Sequence, residues 1–338
     1  MQIPKFLEKG STIGVIAPSF GANTEPYLTR LKSGLDFLKS EGFKLKFFGD
    51  PYGYYMGASA SKEERAKHFM ESYLDKEVDV IWSVSGGELM VEILPFIDFD
   101  LLRKSKPKLF IGYSDNTNIT FLMSTLLDTI SIYAPCITTF GMKPLDPFLK
   151  NTMEIVKGNL ITQYASKYHE PYEVPEKGPL DGYTLTEPTK WINLRNEKSI
   201  HLKGRVIGGV LDILTLHLGT KYDRVSEFVK RYEKDGIILF LEACDLNIFA
   251  YKRALWQLKE AGWFKGIKGI LFGRHLNVKP FVDMDLFNVT SDVLGDLNIP
   301  IIMEMDIGHV NPMLTMINGA IIEVFNSDEK SKVDFILK

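Results

Sequence analysis

The stretch Phe110-Ile-Gly-Tyr-Ser-Asp-Asn-Thr117 decides how the chain is read. The run from Lys108 to Tyr113 has the apolar composition of a buried strand, and it breaks at a small hydroxyl residue. Asp115, Asn116 and Thr117 follow, residue types that open helices, and a helical pattern then runs to about Leu127. Strand passing directly into helix is the repeating unit of a parallel sheet. The same alternation extends outward on both sides. Upstream, Thr12 to Ala17 reads as a strand stopped by Pro18-Ser19. Leu28, Leu31, Leu35 and Leu38 then share one helical face, with Thr24 as N-cap, Pro26 in the first turn and Gly42 as the stop. Lys44 to Phe48 is a second strand. Ser61-Lys-Glu-Glu64 has capping-box spacing and predicts a helix to about Tyr73. Val78 to Val84 is a strand that ends at Ser85-Gly86-Gly87, with a short helix from Glu88, and Ile130 to Tyr133 closes the series. This rhythm predicts an α/β unit whose parallel sheet is covered on both faces.

Between Tyr168 and Trp191 the pattern dissolves into a segment with four prolines and two glycines. The chain therefore divides into an N-terminal domain over 1–167, a linker or substrate loop over 168–201, and a smaller C-terminal domain over 202–338. The last of these predicts a strand at Val206-Ile207, a helix from about Val210, a strand from Ile237 to Glu242 and a helix from Ile248 to Leu258. Further strands are expected at Gly269 to Phe272 and Pro300 to Met305. Asn318-Gly319, between Met313 to Ile317 and Ala320 to Phe325, is a hairpin signal, so this domain is expected to be mixed α/β with antiparallel strands late in the chain.

Bulk composition narrows the function classes. The 338 residues carry a net charge of −3 with no dense basic block, so a nucleic-acid polymer is not an expected partner. No window approaches the ~18 apolar residues of a membrane span, and the N-terminus lacks a long apolar run after its lysines. A cytoplasmic protein with no membrane partner is expected. Cys136 and Cys244 lie far apart without metal-ligand spacing, which favours two buried thiols and no metal site.

The carboxyl ends of parallel strands are where functional groups collect. Ser114 stands at such an end, two residues after Gly112. A tight strand-to-helix turn there would present its hydroxyl together with backbone N–H groups of the new helix. The alternative is that Ser114 or Asp115 only caps that helix. A serine nucleophile needs a base. Among six histidines, His68 lies in a charged helical pattern and is expected to face solvent, His169 and His201 fall in or near the irregular segment, and His217 suits packing. His275 follows a strand end and is a possible site residue. His309 is the sharpest candidate, because a strand from Pro300 runs into Gly308 and then the imidazole. The base needs an acid to fix its tautomer. Glu242 ends a nearly unbroken apolar strand, where a charge must be paired, exposed or used as a cap. Ser114, Glu242 and His309 thus form a candidate catalytic set in the order serine, acid, histidine.

These residues sit in phrases that resemble the LD-carboxypeptidase family of serine peptidases, which includes muramoyltetrapeptide carboxypeptidases and the microcin C immunity proteins. The resemblance runs through GSTIGVIAPS, SGGELMVEILPFIDFDLL, KLFIGYSDNT, GRVIGGVLDIL, LFLEACD, ILFGRH and DIGHVNPMLTMINGA. It implies a two-domain fold with a Rossmann-like N-terminal half, and a Ser114-Glu242-His309 triad that needs no cofactor. It also implies an oxyanion hole from the backbone at Gly87 and Asp115, with substrate contacts at Gly86, Glu88 and Trp191. A homodimer is implied as well. The implied substrates are small peptides, muropeptides or aminoacyl nucleotides. Gly86-Gly87-Glu88-Leu89 stands where many muropeptide-cleaving members read Gly-Gly-Tyr-Gly, and ILPFIDFD is closer to the immunity-protein branch. Trp191 would stack on a nucleobase in that branch, or would anchor an edge of the second domain as most tryptophans do. A non-catalytic two-domain protein that closes on a small molecule is the competing class. A dinucleotide-dependent oxidoreductase is disfavoured because no G-x-G-x-x-G follows the first strand.

Overall fold

A computed structural model describes all residues from Met1 to Lys338. The chain forms two compact units, Met1–Leu160 with Pro175–Tyr183 and Ile161–Val174 with Thr184–Lys338. The segment read as a linker is thus divided between them. The units are equal in length, so the second is not the smaller one. It gains residues because its sheet takes in strands that precede residue 202.

The first unit holds β1 (Thr12–Ile16), α1 (Tyr27–Ser40), β2 (Lys44–Phe48), α2 (Lys62–Leu74), β3 (Val80–Ser83) and α3 (Phe99–Lys104). It continues through β4 (Leu109–Gly112), α4 (Thr117–Thr125), β5 (Ser131–Tyr133) and α5 (Pro147–Val156). Its five strands are all parallel, in the order β5-β4-β3-β1-β2. Val80, Ile81, Trp82, Leu109, Phe110 and Ile111 are each fully buried, as an unbroken apolar run covered on both faces requires. Strand order reverses between β1 and β3, the kind of switch point at whose carboxyl ends ligands bind in open parallel sheets. The capping box forms: Ser61 Oγ accepts from Glu64 N at 3.3 Å and Glu64 Oε2 accepts from Ser61 N at 3.2 Å. Thr24 does not cap α1, whose N-cap is Pro26 without a side-chain bond.

The second unit begins with β6 (Gln163–Tyr164), β7 (Tyr168–His169), β8 (Glu187–Pro188) and β9 (Ile192–Asn193). There follow β10 (Ser199–Val210), α6 (Leu211–His217), α7 (Val225–Arg231), β11 (Ile237–Glu242), α8 (Ile248–Glu260), β12 (Ile267–Gly273) and α9 (Leu286–Leu294). The chain ends with β13 (Ile301–Met305), β14 (Met316–Asn318), β15 (Ile321–Ser327) and β16 (Ser331–Ile336). An eight-stranded sheet runs β6-β16-β15-β10-β11-β12-β13-β9. Its centre, β10 to β13, is parallel, and its margins are antiparallel. The carboxyl ends of β11, β12 and β13 therefore point the same way.

The Asn318-Gly319 turn does not make the expected hairpin. Asn318 Oδ1 accepts from Gly208 N at 2.8 Å, and Asn318 Nδ2 donates to Gly208 O at 3.2 Å, so the side-chain amide pairs with the edge of β10. β15 instead pairs with β10 and with β16, and the late hairpin is β15–β16.

Candidate active site

Three loops of the first unit meet around Ser114. The residue has φ of 64°, a left-handed backbone that a serine adopts only under constraint. Asn116 supplies much of that constraint, donating from Nδ2 to Ser85 O at 3.1 Å and to Tyr113 O at 2.9 Å. Gly112 makes room for it, since a Cβ there would stand 2.7 Å from Asn116 Cγ. Gly86 is equally tight, because an added Cβ would lie 3.0 Å from the Cβ of Ser114. Gly87 has φ of 151°, and a Cβ on it would meet Ser19 Oγ at 2.2 Å. The Gly87 and Asp115 N–H groups donate to no acceptor within the chain. Ser114 itself is partly exposed and Glu88 is exposed.

The Asp115 side chain has a role that sequence reasoning missed. It is buried, accepts from Met90 N at 2.8 Å and from the Ser19 hydroxyl, and accepts from Asn118 at 2.9 Å. One carboxylate thus ties together the loops after β1, β3 and β4. Burial raises its pKa, and the hydrogen bonds from Ser19, Met90 and Asn118 act against that rise. Arg65, also buried, donates to Pro18 O at 3.0 Å and Leu89 O at 2.9 Å, bracing the first two loops. A lysine or arginine inside an otherwise charged helix gives no sequence signal of burial.

In the second unit, β11 delivers Glu242 fully buried at its carboxyl end. His309 Nδ1 lies 2.9 Å from Glu242 Oε2, and the imidazole is only 12% exposed. This pairing assigns Nδ1 the proton and turns Nε2 away from the acid. Gly308 makes the approach possible: its φ is 96° and a Cβ would stand 2.6 Å from Glu242 Cδ. Burial works to lower the His309 pKa, but the Glu242 charge and hydrogen bonds with Cys244 and Glu242 raise it well above its ordinary value. Asp212, in the first turn of α6, accepts from Cys244 N at 3.1 Å and Asp245 N at 2.8 Å, fixing the loop that leaves Glu242.

The loop carrying His309 is clamped from beneath. Arg274 Nη2 donates to Asp306 at 2.7 Å and to Val310 O and Pro312 O, both at 3.2 Å. Glu170 adds a second tie, accepting from Asn311 Nδ2 at 2.8 Å. Trp191 belongs to this clamp. It is 3% exposed and donates its indole N–H to Asp306 at 2.8 Å, which is the edge-anchoring alternative rather than an open stacking platform. The remaining histidines are elsewhere. His275 is buried against Tyr251 and Phe272, which makes it a packing residue; His217 packs by Tyr222; His201 pairs with Glu323. His169 meets Thr189, and His68 is half-buried against Gly49 rather than facing solvent. Cys136 is a buried thiol whose pKa burial pushes up to about 12.

Both halves of the chain match one family. Residues 13–134 match the LD-carboxypeptidase N-terminal domain and residues 203–324 its C-terminal domain. The microcin C7 self-immunity protein MccF of Escherichia coli is 31% identical over 322 residues, covering 92% of this chain and 89% of that protein. A Bacillus subtilis protein named a probable murein peptide carboxypeptidase is 30% identical over 340 residues, covering 98% and 93%. The structure of MccF in complex with aspartyl sulfamoyl adenosine superimposes with a TM-score of 0.84 at 26% identity, covering all of both chains. No helix is long and apolar enough to cross a membrane. The chain belongs to the LD-carboxypeptidase family and is a serine-type peptidase.

Proposed function

We propose that Ser114 is the nucleophile of this peptidase, His309 its general base and Glu242 the group that orients the base. The observation that carries the reading is the His309–Glu242 pair, in which a buried carboxylate holds the imidazole through Nδ1 as a general base requires. The Ser114 oxygen attacks the scissile amide carbonyl as His309 accepts its proton. The imidazolium formed is stabilised by Glu242, and the Gly87 and Asp115 N–H groups receive the developing oxyanion, each such donor being worth about 3 kcal/mol. His309 returns the proton to the leaving amine, and water then releases the acyl group with His309 again as base.

The substrate class we assign is an aminoacyl or peptidyl nucleotide, met in the cytoplasm. Support comes from the immunity-type phrase ILPFIDFD and from the MccF likeness across the whole chain. Trp191 is left out of nucleobase recognition in this reading because its ring is enclosed. A muropeptide is the second reading, favoured by the 30% identity to the murein peptide carboxypeptidase. Turnover of an aminoacyl phosphoramidate nucleotide and of a tetrapeptide ending in D-alanine, measured side by side, separates them. Faster release of D-alanine would transfer the assignment to the second reading. The homodimer belongs to the proposal too, and sedimentation at the mass of one chain contradicts it.

A further inference from the structure

Glu304 breaks the rules of the strand that carries it. β13 pairs with β12 through Ile301 and Ile302, but Met305 then pairs with Gly273, so β13 carries one extra residue there. Glu304 stands in this bulge at φ of 59°, a left-handed conformation that is costly for a non-glycine residue. Glycine or asparagine would hold the same bulge at less cost, so the side chain itself needs an explanation.

The carboxylate is half-buried, yet no donor in the chain bonds it. The nearest cation does not neutralise it locally. Arg274 spends its guanidinium on Asp306, Val310 O and Pro312 O, and reaches only the backbone carbonyl of Glu304, at 3.4 Å. The Arg274 Nε–H is itself buried without a partner. Burial raises the Glu304 pKa, with Arg274 opposing. Burial and, after it, the Glu304 charge push the Tyr172 hydroxyl up to about 12, with Arg274 opposing. Tyr172 is two residues beyond Glu170, the residue that ties down the His309 loop through Asn311. Glu304 stands one residue before the carboxyl end of β13, the same end of the parallel strands at which β11 delivers Glu242, inside the same unit.

A single desolvated carboxylate without a donor suits a primary ammonium, which gains a charge-assisted hydrogen bond there. A metal ion would need further ligands, and no cluster of three His, Cys, Asp or Glu side chains surrounds the position. We propose that Glu304 is a specificity-determining residue that binds a primary ammonium group on the acyl portion of the substrate. This rests on the peptidase reading above, under which both candidate substrates carry such a group on the residue that supplies the scissile carbonyl: the α-ammonium of an aminoacyl nucleotide, or the side-chain ammonium of a dibasic residue in a muropeptide.

The test measures binding, so that it does not depend on the nucleophile. In a full-length Ser114→Ala background, titration calorimetry compares aspartyl sulfamoyl adenosine and lysyl-D-alanine, each with its amines free and acetylated. At least one pair should show roughly tenfold preference for the free amine, and Glu304→Gln should abolish that preference while leaving affinity for the acetylated form unchanged. Glu304→Gly should lose the preference as well and raise the Tm by relieving the backbone, which shows that the fold has not failed. No preference in either pair, or a preference that survives both substitutions, overturns the proposal. The peptidase reading is scored separately by covalent labelling of Ser114.

Discussion

His309 Nδ1 and Glu242 Oε2 stand 2.9 Å apart, with the acid fully buried and the imidazole nearly so. A buried carboxylate without a partner would be costly, so the pair is an energetic unit as well as a candidate catalytic one. Its sequence distance is 67 residues, which is why only the parallel alignment of β11 and β13 brings it together.

Glu242→Gln is expected to lower kcat on the order of 10²- to 10⁴-fold while retaining shape. The pH profile gives the sharper readout. With Glu242 present, the His309 pKa is raised, so activity that needs neutral imidazole climbs with pH through that raised value. Without the charge, burial remains and acts to lower the pKa, so the rising limb should move to lower pH. Stability has the opposite slope. The pair's contribution is complete below the ordinary imidazole value of 6.5 and is lost as pH rises through the raised one. A Tm that declines over that window in the native protein, and does so less in Glu242→Gln, is the expected result.

Gly308→Ala tests why the turn before the base is glycine. Its positive φ and the 2.6 Å approach to Glu242 leave no space for a methyl group. Loss of more than about 1 kcal/mol in denaturant unfolding is expected, together with a fall in kcat, because the carboxylate must shift from the imidazole. Unchanged stability and turnover would refute this.

Arg274→Met removes the cation from a pair in which both partners are at most 1% exposed. Breaking such a pair on one side costs about 3–5 kcal/mol, because the Asp306 charge stays buried. Urea unfolding should show that loss. Replacing both residues with apolar ones of similar volume should recover part of it, although the carbonyls of Val310 and Pro312 would lose their donor.

Much of this arrangement is legible in the chain because its signals are local. Ile237 to Glu242 and Leu109 to Gly112 are apolar runs with abrupt polar ends, and the Ser61–Glu64 box is a contiguous code. Other features depend on partners distant in sequence. The helix Phe99–Lys104 is too short to show an apolar period, whereas Pro147–Val156 carries an Asp146 cap, a Pro at its first position and buried Leu149, Thr152, Met153 and Val156, a local signal that the expectations above leave out. β10 extends back to Ser199 because β15 pairs with it, while its own sequence showed a strand only at Val206-Ile207. The Asn318-Gly319 turn carries a hairpin code that the Gly208 backbone overrides. Glu304 looks like an ordinary strand residue in the sequence, since a bulge is usually announced by glycine and here it is not. The burial of Asp115 and Arg65 likewise follows from three loops closing over them, which no single segment encodes.

The most direct test of the central claim is covalent labelling of the native protein with a fluorophosphonate, followed by peptide mapping. One modified residue, Ser114, is expected, with labelling abolished in Ser114→Ala and slowed on the order of 10³-fold or more in His309→Ala, both variants retaining the native Tm within a few degrees. Modification at another serine, or normal amide hydrolysis by a folded Ser114→Ala protein, would contradict it.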